Sequence, residues 1–403
     1  MEINRRETIL VLSKILGYVG IDDTYHGHRV GYIVWRLSEH LKLPDDQRTE
    51  LAEAGLLHDI GVSSTVAHQM LVSRLDVPNA IEHCLVGESI ITSIPTFSHL
   101  APLIRYHHEH WKRFDFKKIH PTIALYSNLI FLADRLDVLM SHHEEQNESV
   151  RESILDALVN LQDLLFAPQC IEALLAEVEH PSFWEMLEKK EQIATHLQQE
   201  MAGEAERNID FAGLEGIATT FSHIIDAKSP FTHEHSQNTA RVAALLSEKF
   251  GCHHHVTDKL RVAAMFHDIG KLRVPDEILE KPGRLDEEER RIIEQHPEDS
   301  WKILCKMRGL EDVASWTRMH HEKLNGKGYP RGLRGDEIAP EAQILAVADI
   351  FQSLLQKRPY RIKMEMDQVY AIMDKMVDEG EINAHLVSLI KDHQEEFLVA
   401  AAA

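Results

Sequence analysis

The chain of 403 residues carries Asp+Glu 65 against Lys+Arg 43, a formal charge of −22, with 44% hydrophobic residues, Gly 19, Pro 14, Cys 4 and His 27. The length is a prior for two domains, each able to bury a core; the charge excludes a protein that coats DNA or an anionic membrane by electrostatics; the ordinary apolar content with little Gly and Pro excludes disorder and favours helices. Cys84, Cys170, Cys252 and Cys305 lie far apart with no CxxC, so neither a disulfide framework nor a thiolate zinc site is indicated.

In chain order, the first residues MEINRRETIL lack the apolar stretch of a signal peptide, and no run approaches about 18 apolar residues, so a cytoplasmic protein without a membrane span is expected. TILVLSKILGYVG, VGYIVWRLSEHL, RTELAEAGLLHDIG, ESILDALVNLQDLL, TARVAALLSEKFG and DQVYAIMDKMV all place apolar residues at three- and four-residue steps. Asp45 after Pro44 opens a helix toward His58, and Asp286 with Glu289 fits a capping box. No alternation of period two stands out, and the fold class is all-α. His253, His254 and His255 read as an exposed loop, and Met364, Met366, Met373 and Met376 as core filling.

A repeat organises the rest. HDIG occurs at His58–Gly61 and again at His267–Gly270, and around each copy the same residue types follow in the same order. The first set is His26, His58, Asp59, His83, His107, His108 and Asp134; the second is His235, His267, Asp268, His296, His320, His321 and Asp349. The first gap is 32 residues in both sets, the later ones differ by at most four, and HHE recurs in each. Two tandem copies of one helical domain, 1–200 and 201–403, are expected, joined through LEKKEQIATHLQQEMAGEAERN, which is charged and reads as helix.

Five histidines and two aspartates converging from separate helices make a mixed nitrogen and oxygen site for divalent metal. Neighbours on a helix point about 100° apart, so His267 can bind one ion while Asp268 bridges to a second, and His320 and His321 can divide likewise. Two bridged ions suit hydrolysis of a phosphate ester by a bridging hydroxide.

The second half reads HDIGKLRVPDEIL, KPGRL, EQHPEDSWKIL, HHEKLNGKGYPRGL, VADIF and RPYR. Over residues 214–403 it closely resembles the HD-GYP phosphodiesterases of bacterial cyclic-dinucleotide signalling; the first half resembles a plain HD-superfamily domain. The resemblance implies that the seven residues of the second set are metal ligands and that Asp268 and Lys271 serve catalysis, Lys271 at the scissile phosphate. It implies further that Gly328, Tyr329 and Pro330 form a substrate loop, and that Arg358 and Arg361 contact the nucleotide. The substrate it implies is cyclic di-GMP, or 3′3′-cyclic GMP-AMP, opened to a linear 5′-phosphorylated dinucleotide.

Three departures from the family pattern bear on this. Phe231 stands where three-metal members carry Glu, so two ions, iron or manganese, are expected; Asn325 replaces an Asp before the loop, and Gln352 a second Asp after Asp349. In the first half all seven ligand positions are filled, but Val62 replaces the lysine, HWKRFDFKK replaces the loop and no RPYR follows Asp134. That half is expected either to hold metal for stability or regulation, or to act as a 5′-nucleotidase on the linear product. The rival readings are a receptor that binds the nucleotide without cutting it, a di-iron oxygenase, and a hydrolase of noncyclic nucleotides. Partnership with DNA or membrane is not expected; a homodimer is open.

Overall fold

A computed structural model of the chain describes residues 3–19, 24–62, 71, 75, 80–143, 145, 147–201, 208–228, 234–281, 283–356 and 364–402. It is all-α; the only strands among the described residues are the paired dipeptides Ile3–Asn4 and Asn208–Ile209. Two compact units result, Asn4–Ile209 and one built on Asp210–Ala403. No helix of the described residues is long and apolar enough to cross a membrane.

In the N-terminal unit, helix His26–His40 packs on Asp45–Leu57 and on Pro121–Ser141. The last of these is the core element, with Leu129 to Leu132 all at most 1% exposed. A four-residue run that is buried throughout means the helix is surrounded on every side, which an amphipathic stripe would not allow. The C-terminal unit repeats the arrangement: His235–Phe250 packs on His254–Phe266 and on Pro340–Leu355, whose Ile344, Leu345, Val347 and Ala348 are buried. The periodic segments named from the sequence map to helices Arg5–Val19, His26–His40, Asp45–Leu57, Glu148–Val159, His235–Phe250 and Met366–Asp378, but ESILDALVNLQDLL runs six residues past its helix, with 160–165 in turns. The Asp286 capping box is formed, with Asp286 accepting from the Glu289 amide and Glu289 from the Asp286 amide.

Three details differ from expectation. The charged linker is not one helix: Pro181–Glu188 and Ile193–Glu200 are separated by turns at Lys189–Gln192, and 202–207 lie outside the described residues. His253 caps helix His254–Phe266, so His254 and His255 are exposed but helical. Of the four methionines only Met373 is buried, because Met366–Asp378 keeps one face in solvent.

Candidate metal centres

Each HD pair sits at a helix end, not within a helix as the spacing suggested. His267 follows the last residue of His254–Phe266, and Asp268 leads the 3₁₀ turn Ile269–Arg273; His58 and Asp59 stand likewise after Asp45–Leu57. Gly270 makes this turn workable. A Cβ there would lie 2.1 Å from the His296 carbonyl oxygen, and one on Gly61 would lie 2.0 Å from that of His83. The missing side chain therefore lets the HDIG turn press against the helix that brings the next histidine. Ser300 secures the contact, donating to His267 O at 2.8 Å and accepting from Gly270 N at 3.0 Å.

The helix ends also aim the rings. A helix leaves its last carbonyls without intrahelical partners, and His267, His296 and His320 donate Nδ1 to Ala264, Ile293 and Thr317 at 2.7, 2.7 and 2.6 Å. His58 and His107 do the same with Gly55 and Ile104 at 2.8 and 2.6 Å. With Nδ1 occupied, Nε2 is the free donor and faces the centre.

In the C-terminal unit the seven residues named from the sequence come together. Asp268 divides its oxygens: Oδ2 is 3.3 Å from His267 Nε2, and Oδ1 is 3.2 Å from His296 Nε2 and 3.9 Å from His320 Nε2. Asp349 Oδ1 lies 3.1 Å from His235 Nε2 and 3.9 Å from His267 Nε2. Asp268, His296, His320 and His321 form one group with donors within 4.8 Å of one another, and His235, His267 and Asp268 form another. Asp268 belongs to both. The N-terminal unit does the same with Asp59, which joins His83, His107 and His108 on one side and His26 and His58 on the other. There Asp134 Oδ1 is 3.4 Å from His26 Nε2, and its Oδ2 is 3.7 Å from His108 Nε2.

These donor sets fit divalent metal. The facing nitrogens His296 Nε2 and His320 Nε2 are 3.3 Å apart, and His83 Nε2 and His107 Nε2 3.1 Å, each pair with its Nδ1 protons largely committed elsewhere. His108 Nε2 is buried without a hydrogen bond among the described residues. Buried polar atoms in that state are costly unless something else engages them.

Around the C-terminal centre, Lys271 Nζ donates to Asp268 Oδ2 at 2.6 Å while its side chain keeps 29% exposure. The ring of Tyr329 lies 4.8 Å from that of His321, so the Gly328–Pro330 loop borders the centre. Arg358, Arg361 and Phe231 lie outside the described residues.

Residues 24–139 and 219–386 each match the family model described as HD domain. The 3′3′-cGAMP-specific phosphodiesterase 1 of Vibrio cholerae is 30% identical over 400 residues, covering 98% of this chain and 93% of its own. The chain belongs to the HD-domain phosphodiesterase family. The 3′3′-cGAMP-specific phosphodiesterase 3 of the same organism is 38% identical over 253 residues, 63% of this chain and 54% of that one. A crystal structure of a cyclic GMP-AMP specific phosphodiesterase of V. cholerae superposes with a TM-score of 0.69 at 26% identity, over 99% of this chain and 98% of that one.

As an HD-domain phosphodiesterase the chain has supporting residues that sequence reasoning missed. Glu322, buried and next in the chain to His320 and His321, accepts from Arg331 N at 2.7 Å and Leu333 N at 2.9 Å and so clamps the loop; the recurrence of HHE in both halves was its signal. Asn325 is engaged within the loop, donating to Glu379 O and accepting from Lys327 N, both at 3.0 Å. In the N-terminal unit Asp137 accepts from His26 Nδ1 at 2.7 Å, and Arg135 forks onto Asp134 Oδ2 with Nε at 3.0 Å and Nη2 at 2.7 Å. The Asp134-x-x-Asp137 spacing could have pointed to the first of these.

Burial and neighbouring charge oppose each other throughout both centres. Burial alone would lower His26, but Asp134 and Asp137 outweigh it and raise the ring to about 10. Burial likewise opposes His267, and Asp268 raises it to about 9. Burial with neighbouring histidines drives His107 and His321 down to about 3. Burial disfavours the Asp268 carboxylate, but His267 and Lys271 overcome that and hold its carboxyl well below the usual range.

Proposed function

We propose that this HD-domain phosphodiesterase opens a 3′,5′-cyclic dinucleotide and releases the linear dinucleotide with a 5′-phosphate. 3′3′-Cyclic GMP-AMP is the first candidate, because the relative matched over 98% of the chain carries that name; cyclic di-GMP is the second. The observation that carries the reading is Asp268, shared by two donor groups and bearing Lys271 Nζ at 2.6 Å on its outer oxygen.

His235, His267, Asp268 and Asp349 would hold one ion and Asp268, His296, His320 and His321 a second; such ligands suit iron, manganese or zinc, and iron or manganese is the proposed pair. Divalent metal bound there supplies Lewis acidity to the phosphate and lowers the pKa of water. Hydrolysis adds the oxygen of water to phosphorus, breaks one P–O3′ bond and delivers a proton to the departing 3′-oxygen. Lys271, partly exposed, can turn its ammonium from Asp268 to a non-bridging phosphate oxygen and offset the charge that develops there. Tyr329 offers an aromatic face beside His321 on which a base can rest.

The test is a paired assay of full-length protein on both cyclic dinucleotides with manganese or iron, products resolved by chromatography. Linear 5′-phosphorylated product from the wild type, and none from His267→Ala with Asp268→Ala, is expected. Tight binding of an intact nucleotide without turnover would favour the receptor reading, and oxygen uptake without phosphate chemistry the oxygenase.

A second reading concerns the N-terminal centre, where seven ligand-type residues converge without Lys271 or the loop. We propose that it acts on the 5′-phosphate monoester of the linear product. Unchanged phosphate release from linear dinucleotide by His58→Ala with Asp59→Ala would remove that reading.

A further inference from the structure

The two centres use the same seven residue types, but what stands behind the first histidine differs. In the N-terminal unit His26 Nδ1 donates to Asp137 Oδ2 at 2.7 Å. Arg29 grips the same carboxylate, with Nε on Oδ1 and with Nη2 on Oδ2 at 2.8 Å. Asp137 is 1% exposed, and this network is closed to solvent. In the C-terminal unit the matching positions hold amides: Gln352 follows Asp349 by three as Asp137 follows Asp134, and Asn238 follows His235 by three as Arg29 follows His26. A charged pair has been replaced by a neutral pair. His235 Nδ1 and Gln352 Oε1 are both buried, and neither has a hydrogen-bond partner among the described residues.

A histidine that donates its second N–H to a carboxylate is fixed in tautomer and orientation and becomes a better metal donor; losing such support commonly costs about 10–100-fold in metal affinity. The cations seated on the ligand-type aspartates do not separate the two centres, although the C-terminal one also has the buried carboxylate of Asp226, held by Ser236 beside His235. Each carries one cation on one of its aspartates, Arg135 on Asp134 and Lys271 on Asp268, and both outer pairs are neutral overall. What remains is the support of the first histidine.

We propose that the N-terminal centre holds divalent metal more tightly than the C-terminal centre, with Asp137 as the positioning residue of His26, so that the C-terminal centre empties first when metal is scarce. The inference rests on both clusters being metal centres.

The test titrates two full-length variants with manganese(II) alone at buffered free concentrations and reads bound metal per chain by elemental mass spectrometry. His267→Ala/Asp268→Ala, which keeps the N-terminal centre, is expected to half-saturate at a free concentration at least about 10-fold below that of His58→Ala/Asp59→Ala. Adding Asp137→Asn to the first variant should weaken its binding about 10–100-fold, and adding Gln352→Glu to the second should tighten it. Equal or reversed midpoints, or a midpoint that Asp137→Asn leaves in place, overturn the inference while leaving the metal reading intact. No metal on either chain overturns both. If a double variant fails to fold, the single substitutions Asp137→Asn and Gln352→Glu in the wild-type chain decide: the first must shift only the tighter phase and the second only the weaker one.

Discussion

At the scale of single residues, protons and metal compete for the same nitrogens. Ligation needs a neutral imidazole, and in the metal-free centres His26 and His267 hold their protons up to about 10 and about 9, whereas His107 and His321, near 3, are already neutral at pH 7. Below its raised pKa each of the first two must lose a proton as metal enters, so loading weakens as pH falls. Adding manganese to metal-free protein in weak buffer at pH 7 is therefore expected to release protons, and the release should shrink as the starting pH rises toward 9 and 10; an indicator dye reads it. Lys271 gives a second prediction. Lys271→Met should retain metal yet lose about 10²–10³ in kcat, as removal of one donor to a developing oxyanion does. Steady-state kinetics beside metal analysis separates that outcome from a loss of the centre. The residues that converge at the two centres were legible in the sequence because their types and gaps repeat. Arg135 was not; Glu322 in the recurring HHE and Asp137 three residues after Asp134 left a signal in the sequence, but only the contacts each one makes give it a supporting role.

Among elements, the deciding contact is the HDIG turn against the start of the next histidine helix. Gly270→Ala places a methyl where the His296 carbonyl now lies at 2.1 Å, a separation no backbone tolerates. His296–Leu304 must move away, and metal binding in the C-terminal unit is expected to fail while the N-terminal unit keeps its metal, read by elemental analysis. A milder change tests the start of the first histidine helix. Asp226 accepts from Ser236 N at 3.1 Å and from Ser236 Oγ at 2.7 Å, satisfying an amide that the helix itself cannot. Asp226→Ala should cost about 1–2 kcal/mol, by analogy with the loss of a side-chain cap, measured by denaturant unfolding. Helical periodicity gave these elements their existence but blurred their ends. His58 and His267 continue the apolar rhythm of the preceding helix, and only the tight turn at Gly61 and Gly270 stops it. The charged linker failed for the same reason: side chains such as Lys189 and Lys190 suit helix and turn alike.

Across the whole molecule, five histidines and two aspartates gathered in each unit make metal a stabilising ligand as well as a reagent. A cation that binds the folded unit and not the unfolded chain adds about 2.7 kcal/mol at a free concentration 100 times its dissociation constant. Chelation should therefore lower the melting temperature, and His267→Ala with Asp268→Ala should abolish the part of the manganese-induced rise that belongs to the C-terminal unit; differential scanning calorimetry with and without chelator measures both. Duplication itself was the most legible property of the sequence, since two HD sets 209 residues apart, as His26 and His235 are, leave little other explanation. The differences between the two units were less so, because they lie in Val62 against Lys271 and Asp137 against Gln352, single changes within an otherwise matching order.

Glu322 joins two parts of the C-terminal unit that have so far stood side by side. It follows His321, one of the candidate metal ligands, directly, and its two oxygens hold the amides of Arg331 and Leu333 beyond Pro330. If the loop meets the nucleotide as proposed, a shift of His321 toward or away from metal would reach it through one peptide and these two hydrogen bonds. The thermodynamic consequence is reciprocal: whatever factor metal adds to the affinity for nucleotide, nucleotide returns to the affinity for metal. An enzyme built this way can recruit its cation with its substrate, and its dependence on metal supply should fall as the dinucleotide accumulates.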